Sequence, residues 1–200
     1  MSVETCPHYL TFDAEHIAPG STAFKCAPPI REARHREGLW AALADGGIDL
    51  IATDHSPAPP ALKSVDVGDF VAAWGGIASL QLGLAAVWTG ARPRRLTLEH
   101  LARWLAAAPA KLAGLEDRKG AIVPGCDADF VFFDPEPTAV VDPSTLFHRH
   151  PVTPYAGMHL NGRVHKTMLR GRVVFDEGTL LNPAYGQPLL KRGVRSSGVR

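Results

Sequence analysis

Three short apolar or β-branched segments, each followed by a loop that carries Pro, His or Asp, constrain the fold of this chain most strongly. They are residues 2–6, 22–26 and 48–53. Between the second and the third, residues 31–45 have an apolar pattern of helical period and are followed by Gly46-Gly47. This strand, helix, strand order predicts buried parallel strands in an α/β architecture, whose functional groups gather where the strands end.

The rest of the chain predicts helices followed by a β module. We expect one helix from Gly76 to Val87 and a second after the N-cap Thr97, kinked by Pro109 and ended by Gly114. The later pattern is β, in segments 121–123, 129–133, 164–169 and 173–175. The predicted organisation is an α/β part at 1–115, a β module at 116–182 and a flexible tail at 183–200.

Composition indicates a globular protein and excludes several partners. The 200 residues are 46% hydrophobic and carry a formal net charge of +1. With no long basic run in the predicted folded region, nothing here is typical of binding to a nucleic acid or an anionic membrane. Three widely spaced cysteines suit free thiols in a reducing compartment, and the N-terminus lacks a signal-like apolar segment. We therefore expect a cytoplasmic protein that is neither exported nor inserted.

Two short motifs at strand ends can carry chemistry. In Thr53-Asp54-His55-Ser56-Pro57, the carboxylate of Asp54 follows an apolar strand, where it can bind a metal and accept a proton from water. The alternative is an Asp that caps a loop. In Cys6-Pro7-His8-Tyr9, His8 is either a metal ligand or a structural hydrogen-bonding residue. His8 and Asp54 can converge on one ion.

Other residues give weaker signals. Cys26 could be a nucleophile, but no neighbouring motif supplies a base, so a small buried thiol is the better interpretation. Gly75-Gly76 lacks the pattern of a phosphate loop and indicates a close backbone approach or a hinge. The remaining histidines have no tight metal-ligand spacing and are interpreted as structural or exposed. They are His16, His35, His100, His148, His150, His159 and His165.

The order of the motifs resembles the cyclic amidohydrolases, the group of the amidohydrolase superfamily that contains dihydroorotase, hydantoinase and allantoinase. The matching segments are 4–9 (ETCPHY), 25–31 (KCAPPIR), 53–57 (TDHSP) and 73–81 (AWGGIASLQ). Residues 120–129 resemble the start of the superfamily's C-terminal β module, and 150–157 resemble an allantoinase segment. The resemblance extends from residue 2 to about residue 180.

The resemblance implies a (β/α)8 TIM barrel that carries two divalent metals, usually zinc, and a small β-sandwich module. By resemblance, His8 is a metal ligand at the end of strand six, residues 22–26 are strand seven, and Asp54 ends strand eight as metal ligand and catalytic acid/base. The expected residues beside the metals or the substrate are His55, Cys26, Ala27, Pro28, Trp74 and Gly75. The full-length family members are expected to be homo-oligomers acting on small cyclic ureides.

Two departures from the dihydroorotase pattern distinguish among the members of the family. Dihydroorotases have an Asn and a His where this chain has Ala27 and Ala58, and both help to hold the substrate carboxylate. Losing hydrogen bonds to a charged group costs about 1.5 to 3 kcal/mol each, so dihydroorotate is expected to bind poorly. The resemblance therefore implies opening of allantoin to allantoate, with hydantoinase or dihydropyrimidinase activity as the alternative.

The other ligands that the family uses are absent upstream of His8. The family's first strand supplies a His-x-His pair, its fourth a carboxylated Lys and its fifth another His. We therefore expect this chain to be the C-terminal portion of such an enzyme, containing strands six to eight and part of the β module, and inactive alone. An inactive truncated product or an assembly piece is the alternative from another class.

Overall fold

The computed structural model describes residues 1–181 and 185–189 and begins with a parallel β pair surrounded by helices. Strand β1 (Glu4–Thr5) pairs with β2 (Leu50–Ile51), with Glu4 opposite Leu50 and Thr5 opposite Ile51. Between them lie helices α1 (Pro7–Thr11) and α2 (Ala33–Ala44). Parallel pairing is confirmed for two of the three predicted strands, those at 2–6 and 48–53, over two residues of each. The predicted helix before β2 is also confirmed, and Gly46 follows it with a φ of +80°.

The predicted strand at residues 22–26 is wrong. Thr22–Phe24 is a 3-10 helix, flanked by local hydrogen bonds from Phe24 N to Ser21 O and from Lys25 N to Thr22 O, at 3.1 and 3.0 Å. Strand β1 pairs directly with β2, so no place is left between them for a strand from this segment. The apolar content of the segment therefore serves burial of Thr22 and Cys26 without β pairing.

The helices that follow begin later than predicted or contain a wide turn. After the short α3 (Pro60–Lys63), α4 spans Gly83–Ala91 and not 76–87, since residues 77–80 bond to the loop after β2. The predicted cap is confirmed: Thr97 N donates to His100 Nδ1 at 3.1 Å before α5 (Leu98–Ala102). A π-helical turn (Arg103–Ala107) precedes α6 (Ala108–Leu112), which accommodates Pro109 and its missing N–H group.

The C-terminal region is a four-stranded antiparallel sheet in the order β3-β4-β5-β6. Its strands are β3 (Phe130–Val140), β4 (His159–Leu169), β5 (Arg172–Asp176) and β6 (Thr179–Leu180). The strands predicted at 129–133, 164–169 and 173–175 are thus confirmed. The strand predicted at 121–123 is wrong, since Val123 O accepts from Cys126 N in a turn and Ile122 is largely exposed. The predicted tail, 183–200, lies outside the described residues except for 185–189.

Two apolar clusters hold these parts together. One packs Trp40, Leu43 and Trp104 beneath the helices, and Phe133 of β3 contacts it. The other joins Phe12 after α1 to Tyr155 and Leu160 of the C-terminal region. Trp88 Nε1 also donates to Pro135 O at 2.9 Å. Side chains from both sides of residue 115 pack in the same apolar clusters. The predicted division into an α/β part and a β module at this residue therefore stays a prediction.

Among the helices of the described residues, none combines the length and the hydrophobicity needed to cross a lipid bilayer.

Candidate functional site

Three potential metal ligands meet beyond the ends of β1 and β2. The ligand atoms of Cys6, His8 and Asp54 all lie within 4.8 Å of one another. His8 Nε2 is 3.3 Å from Asp54 Oδ2. Parallel pairing of β1 with β2 brings both loops to the same end of the pair, which is why residues far apart in sequence meet. The structure therefore brings the two sequence-predicted residues together and adds Cys6.

The two predicted ligands differ sharply in exposure. His8 lies in α1 with a fully buried side chain, whereas the side chain of Asp54 is 56% exposed. Asp54 has a φ of +45°, in the left-handed region that Asp tolerates better than most residues. This backbone bend turns an accessible carboxylate towards a fully buried imidazole.

Burial sets the protonation states of His8 and Cys6. Burial lowers the pKa of His8, although the Asp54 carboxylate opposes the shift, so the imidazole is neutral at neutral pH. Burial also raises the pKa of the Cys6 thiol to about 12. Within the described residues, His8 Nδ1 is a buried atom with no hydrogen-bond partner. A neutral imidazole and a carboxylate are donors that a divalent metal such as zinc accepts, so His8 and Asp54 fit an ion, whereas the Cys6 thiol would first have to lose its proton.

His55 is held by backbone donors beside this group. Its Nδ1 accepts from Ser79 N and Leu80 N, both at 3.0 Å, so the proton of the neutral ring is on Nε2. Burial lowers the pKa of His55. The ring of His148 lies 4.8 Å from that of His55, centroid to centroid. Sequence reasoning missed this neighbour, and no spacing signal in the chain could have found it.

The two loops expected on the substrate side lie against each other. A Cβ on Gly75 would lie 3.5 Å from Ala27 Cβ, and Gly76 N donates to Lys25 O at 3.0 Å. A Cβ on Gly76 would meet Ser56 Oγ at 2.4 Å, which explains the glycine as a close backbone approach. The indole of Trp74 is half exposed.

Cys26 behaves as the buried thiol that its sequence context favours. Its Sγ donates to Pro28 O at 3.2 Å, and Tyr9 Oη donates to the same carbonyl at 2.6 Å. Burial raises the pKa of Cys26, so the thiol stays protonated at neutral pH. This state is unsuited to a nucleophile.

Lys63 is a polar residue of the site that sequence reasoning missed. It is 2% exposed, and its Nζ donates to Lys25 O, Trp74 O and Gly76 O at 2.9, 3.1 and 2.8 Å. Burial lowers its pKa to about 8. Lysine is almost always exposed, so a lone Lys in a loop gives no sequence signal of such a role.

Comparison with known proteins places the chain in a family. The model of the amidohydrolase family matches residues 11–174, a range that contains Asp54 and begins just after His8. The chain is 51% identical to the allantoinase of Streptomyces avermitilis over 183 residues, covering 92% of this chain and 40% of the relative. It is 47% identical to the allantoinase of Arabidopsis thaliana, covering 93% and 37%, respectively.

Solved structures of hydantoinases also match the chain. The L-hydantoinase of Arthrobacter aurescens matches with a TM-score of 0.82 and 32% identity, covering 90% of this chain and 40% of the other. A D-hydantoinase from Thermus sp. matches with a TM-score of 0.80 and 30% identity, with the same coverage. The chain spans about 40% of the length of the relatives that it matches. Its mixed α/β fold is that of the TIM-barrel hydrolases, and the chain belongs to the amidohydrolase family.

Proposed function

We propose that this chain supplies two metal ligands and the proton-transfer group of a hydrolase that opens cyclic amides, with allantoin as the substrate. The observation that carries the proposal is the pair of a buried His8 and an exposed Asp54, 3.3 Å apart beyond two parallel strands. The substrate rests on relatives named allantoinase, including one from Saccharomyces cerevisiae at 41% identity. Opening allantoin yields allantoate.

His8 and Asp54 would hold a divalent metal, and we propose two zinc ions per full-length subunit. When bound, such ions polarise the ring amide carbonyl and make water a stronger nucleophile at neutral pH. In this arrangement β1 and β2 correspond to strands six and eight of the barrel, and the C-terminal sheet to part of a β-sandwich module. We expect the full-length protein to be a cytoplasmic homo-oligomer.

The residues of this chain then divide the work of proton transfer. The exposed carboxylate of Asp54 can accept the proton of the attacking water and deliver it to the leaving ring nitrogen. The next residue, His55, has its proton on Nε2, because its Nδ1 accepts hydrogen bonds from two backbone N–H groups. The buried, protonated thiol of Cys26 is unsuited to form a covalent intermediate, and direct attack by water does not need one.

The surroundings favour an uncharged ring. Ala27 and Ala58 offer only methyl groups where dihydroorotases hold a carboxylate, and Ala58 is buried at 5% exposure. Leaving the carboxylate of dihydroorotate without these partners costs about 1.5 to 3 kcal/mol per hydrogen bond. Hydantoinase is the second candidate, favoured by the solved structures that this chain resembles.

A substrate panel tests the proposal. The full-length protein that carries this chain is assayed for ring opening with allantoin, dihydroorotate and a simple 5-substituted hydantoin. We expect the highest kcat/KM with allantoin, and Ala27→Asn combined with Ala58→His should raise kcat/KM for dihydroorotate. Equal or better use of dihydroorotate by the unaltered protein would contradict the proposal, and preference for the hydantoin would favour the second candidate. Inactivity on all three would favour an inactive or assembly role.

A further inference from the structure

We propose that Lys63 is a positioning residue: its side chain fixes the loop at residues 25–28 against the loop at residues 74–76 in the arrangement that binds the ring. This inference rests on the proposed function for its kinetic consequence, but its structural basis stands alone. Lys63 ends α3 and has no part in the His8 and Asp54 pair. Its role is to hold the backbone of both substrate-side loops.

The hydrogen bonding of Lys63 is complete and joins both loops. An ammonium group has three N–H donors, and Lys63 Nζ uses three backbone carbonyls as acceptors. One carbonyl, that of Lys25, precedes Cys26, and the other two, of Trp74 and Gly76, flank Gly75. Removing this one group therefore releases both loops together.

A buried cation without a counter-ion lowers the stability of the folded protein, so the burial of Lys63 calls for an explanation. Within the described part of the chain, no carboxylate forms an ion pair with Lys63, and the neighbouring titratable groups are Cys26 and Lys25. Burial without a counter-ion is what lowers its pKa to about 8. Residues that break the ordinary rules of burial concentrate at functional sites, which supports a positioning role.

The proposed role of Lys63 should depend on pH, because its hydrogen bonds depend on its protonation state. A neutral amine has two donors and a lone pair, so one of the three carbonyls loses its donor above about pH 8. The unfolded chain binds this proton up to about pH 10.5, the ordinary pKa of lysine, so between pH 8 and 10.5 the unfolded state holds more protons. The contribution of Lys63 to the free energy of unfolding therefore rises with pH across this window. If substrate binding weakens between pH 8 and 10.5, the deprotonation of Lys63 therefore acts by loosening the two loops and not by unfolding the protein.

The test compares Lys63→Met, which keeps the length of the side chain, with Lys111→Met at an exposed position of α6 as the control. In the full-length protein at neutral pH, we expect Lys63→Met to raise KM for allantoin at least about tenfold, through lost hydrogen bonds to a charged donor. The kcat should stay within about threefold and bound metal should not change, because ligands and proton-transfer group are untouched. Lys111→Met should match the unaltered protein.

Two further readouts separate positioning from a general structural role. The KM of the unaltered protein should rise above pH 8 towards that of Lys63→Met, whose own KM should lack this rise. In the full-length protein, amides of residues 24–27 and 73–77 should exchange at least about tenfold faster in Lys63→Met, while β3 and β4 keep their protection.

Unchanged KM and unchanged amide exchange in Lys63→Met would overturn the inference, as would a joint fall in kcat and bound metal. If Lys63→Met does not fold, the pH profile of KM in the unaltered protein decides, and a flat profile across pH 8 would count against Lys63. If no cyclic amide is opened by any form of the protein, the proposed function fails, and amide exchange alone then decides whether Lys63 holds the two loops.

Discussion

The α/β region and the C-terminal sheet satisfy their backbones in different ways. Strands β1 and β2 have two residues each, whereas β3 and β4 have 11 residues each. In the α/β region, loops depend on single side chains, such as the ring of His55 and the ammonium of Lys63. In the sheet, the ladder itself supplies the hydrogen bonds. Single side-chain changes should therefore alter chemistry in the first region and only stability in the second.

The largest expected effect is on turnover. In the full-length protein, Asp54→Asn should lower kcat by about 10² to 10⁴, because it removes the proton carrier. Asn also adopts the left-handed conformation seen at φ +45°, so the loop should keep its shape. Steady-state kinetics with allantoin measure the change.

The matched control is Asp176→Asn in β5, where the carboxylate pairs with Lys166 at 3.4 Å on a partly exposed face. Exposed ion pairs contribute little, so kcat and KM should be unchanged. An Asp54→Asn enzyme within tenfold of the control would remove Asp54 from the mechanism.

A smaller effect is expected where the two regions join. Thr153 Oγ1 donates to Ala78 O at 2.7 Å in a buried contact, next to the segment that holds His55. Thr153→Val keeps the shape but leaves that carbonyl without a partner, which should lower the free energy of unfolding by about 1 to 3 kcal/mol. Urea unfolding measures it, with Thr145→Val on the exposed loop as the control. An unchanged midpoint would show that the regions are not joined there.

The smallest effect separates two glycines of the sheet. Gly162 has a φ of +89°, and a Cβ there would lie 2.0 Å from Phe133 Cζ. Gly171 has a φ of +77° with nothing within 4 Å of such a Cβ. Both Ala variants carry backbone strain, of order 1 to 3 kcal/mol, but only Gly162→Ala displaces the Phe133 ring. Gly162→Ala should be the less stable of the two in urea, with unaltered kcat; equal midpoints would mean that the ring moves freely.

Elements with a local physical cause could be predicted from the sequence. Apolar spacing and the stop at Gly46 predict α2, and Thr97 predicts the start of α5. Short β-type segments between turn residues predict three of the strands in the C-terminal sheet. The convergence of His8 and Asp54 follows from one rule, that parallel strands end at the same edge.

Features that depend on tertiary packing could not be predicted. Residues 22–24 are as apolar as a strand, but they form a 3-10 helix, and β1 pairs directly with β2. The meeting of His148 with His55 and the burial of Lys63 both depend on loops whose paths leave no periodic signal. Cys6 likewise joins the ligand group only because the chain turns into α1 directly after β1.

Metal binding by the purified 200-residue chain is the most direct test of the pairing of His8 with Asp54. Zinc is measured after dialysis against a mild chelator in the unaltered chain, in His8→Ala and in the control His165→Ala, whose ring pairs with Glu177 in the sheet. We predict one loosely held ion per chain, with affinity reduced at least about tenfold by His8→Ala and unchanged by His165→Ala. Two tightly held ions, or zinc binding that His8→Ala leaves intact, would contradict the proposed site.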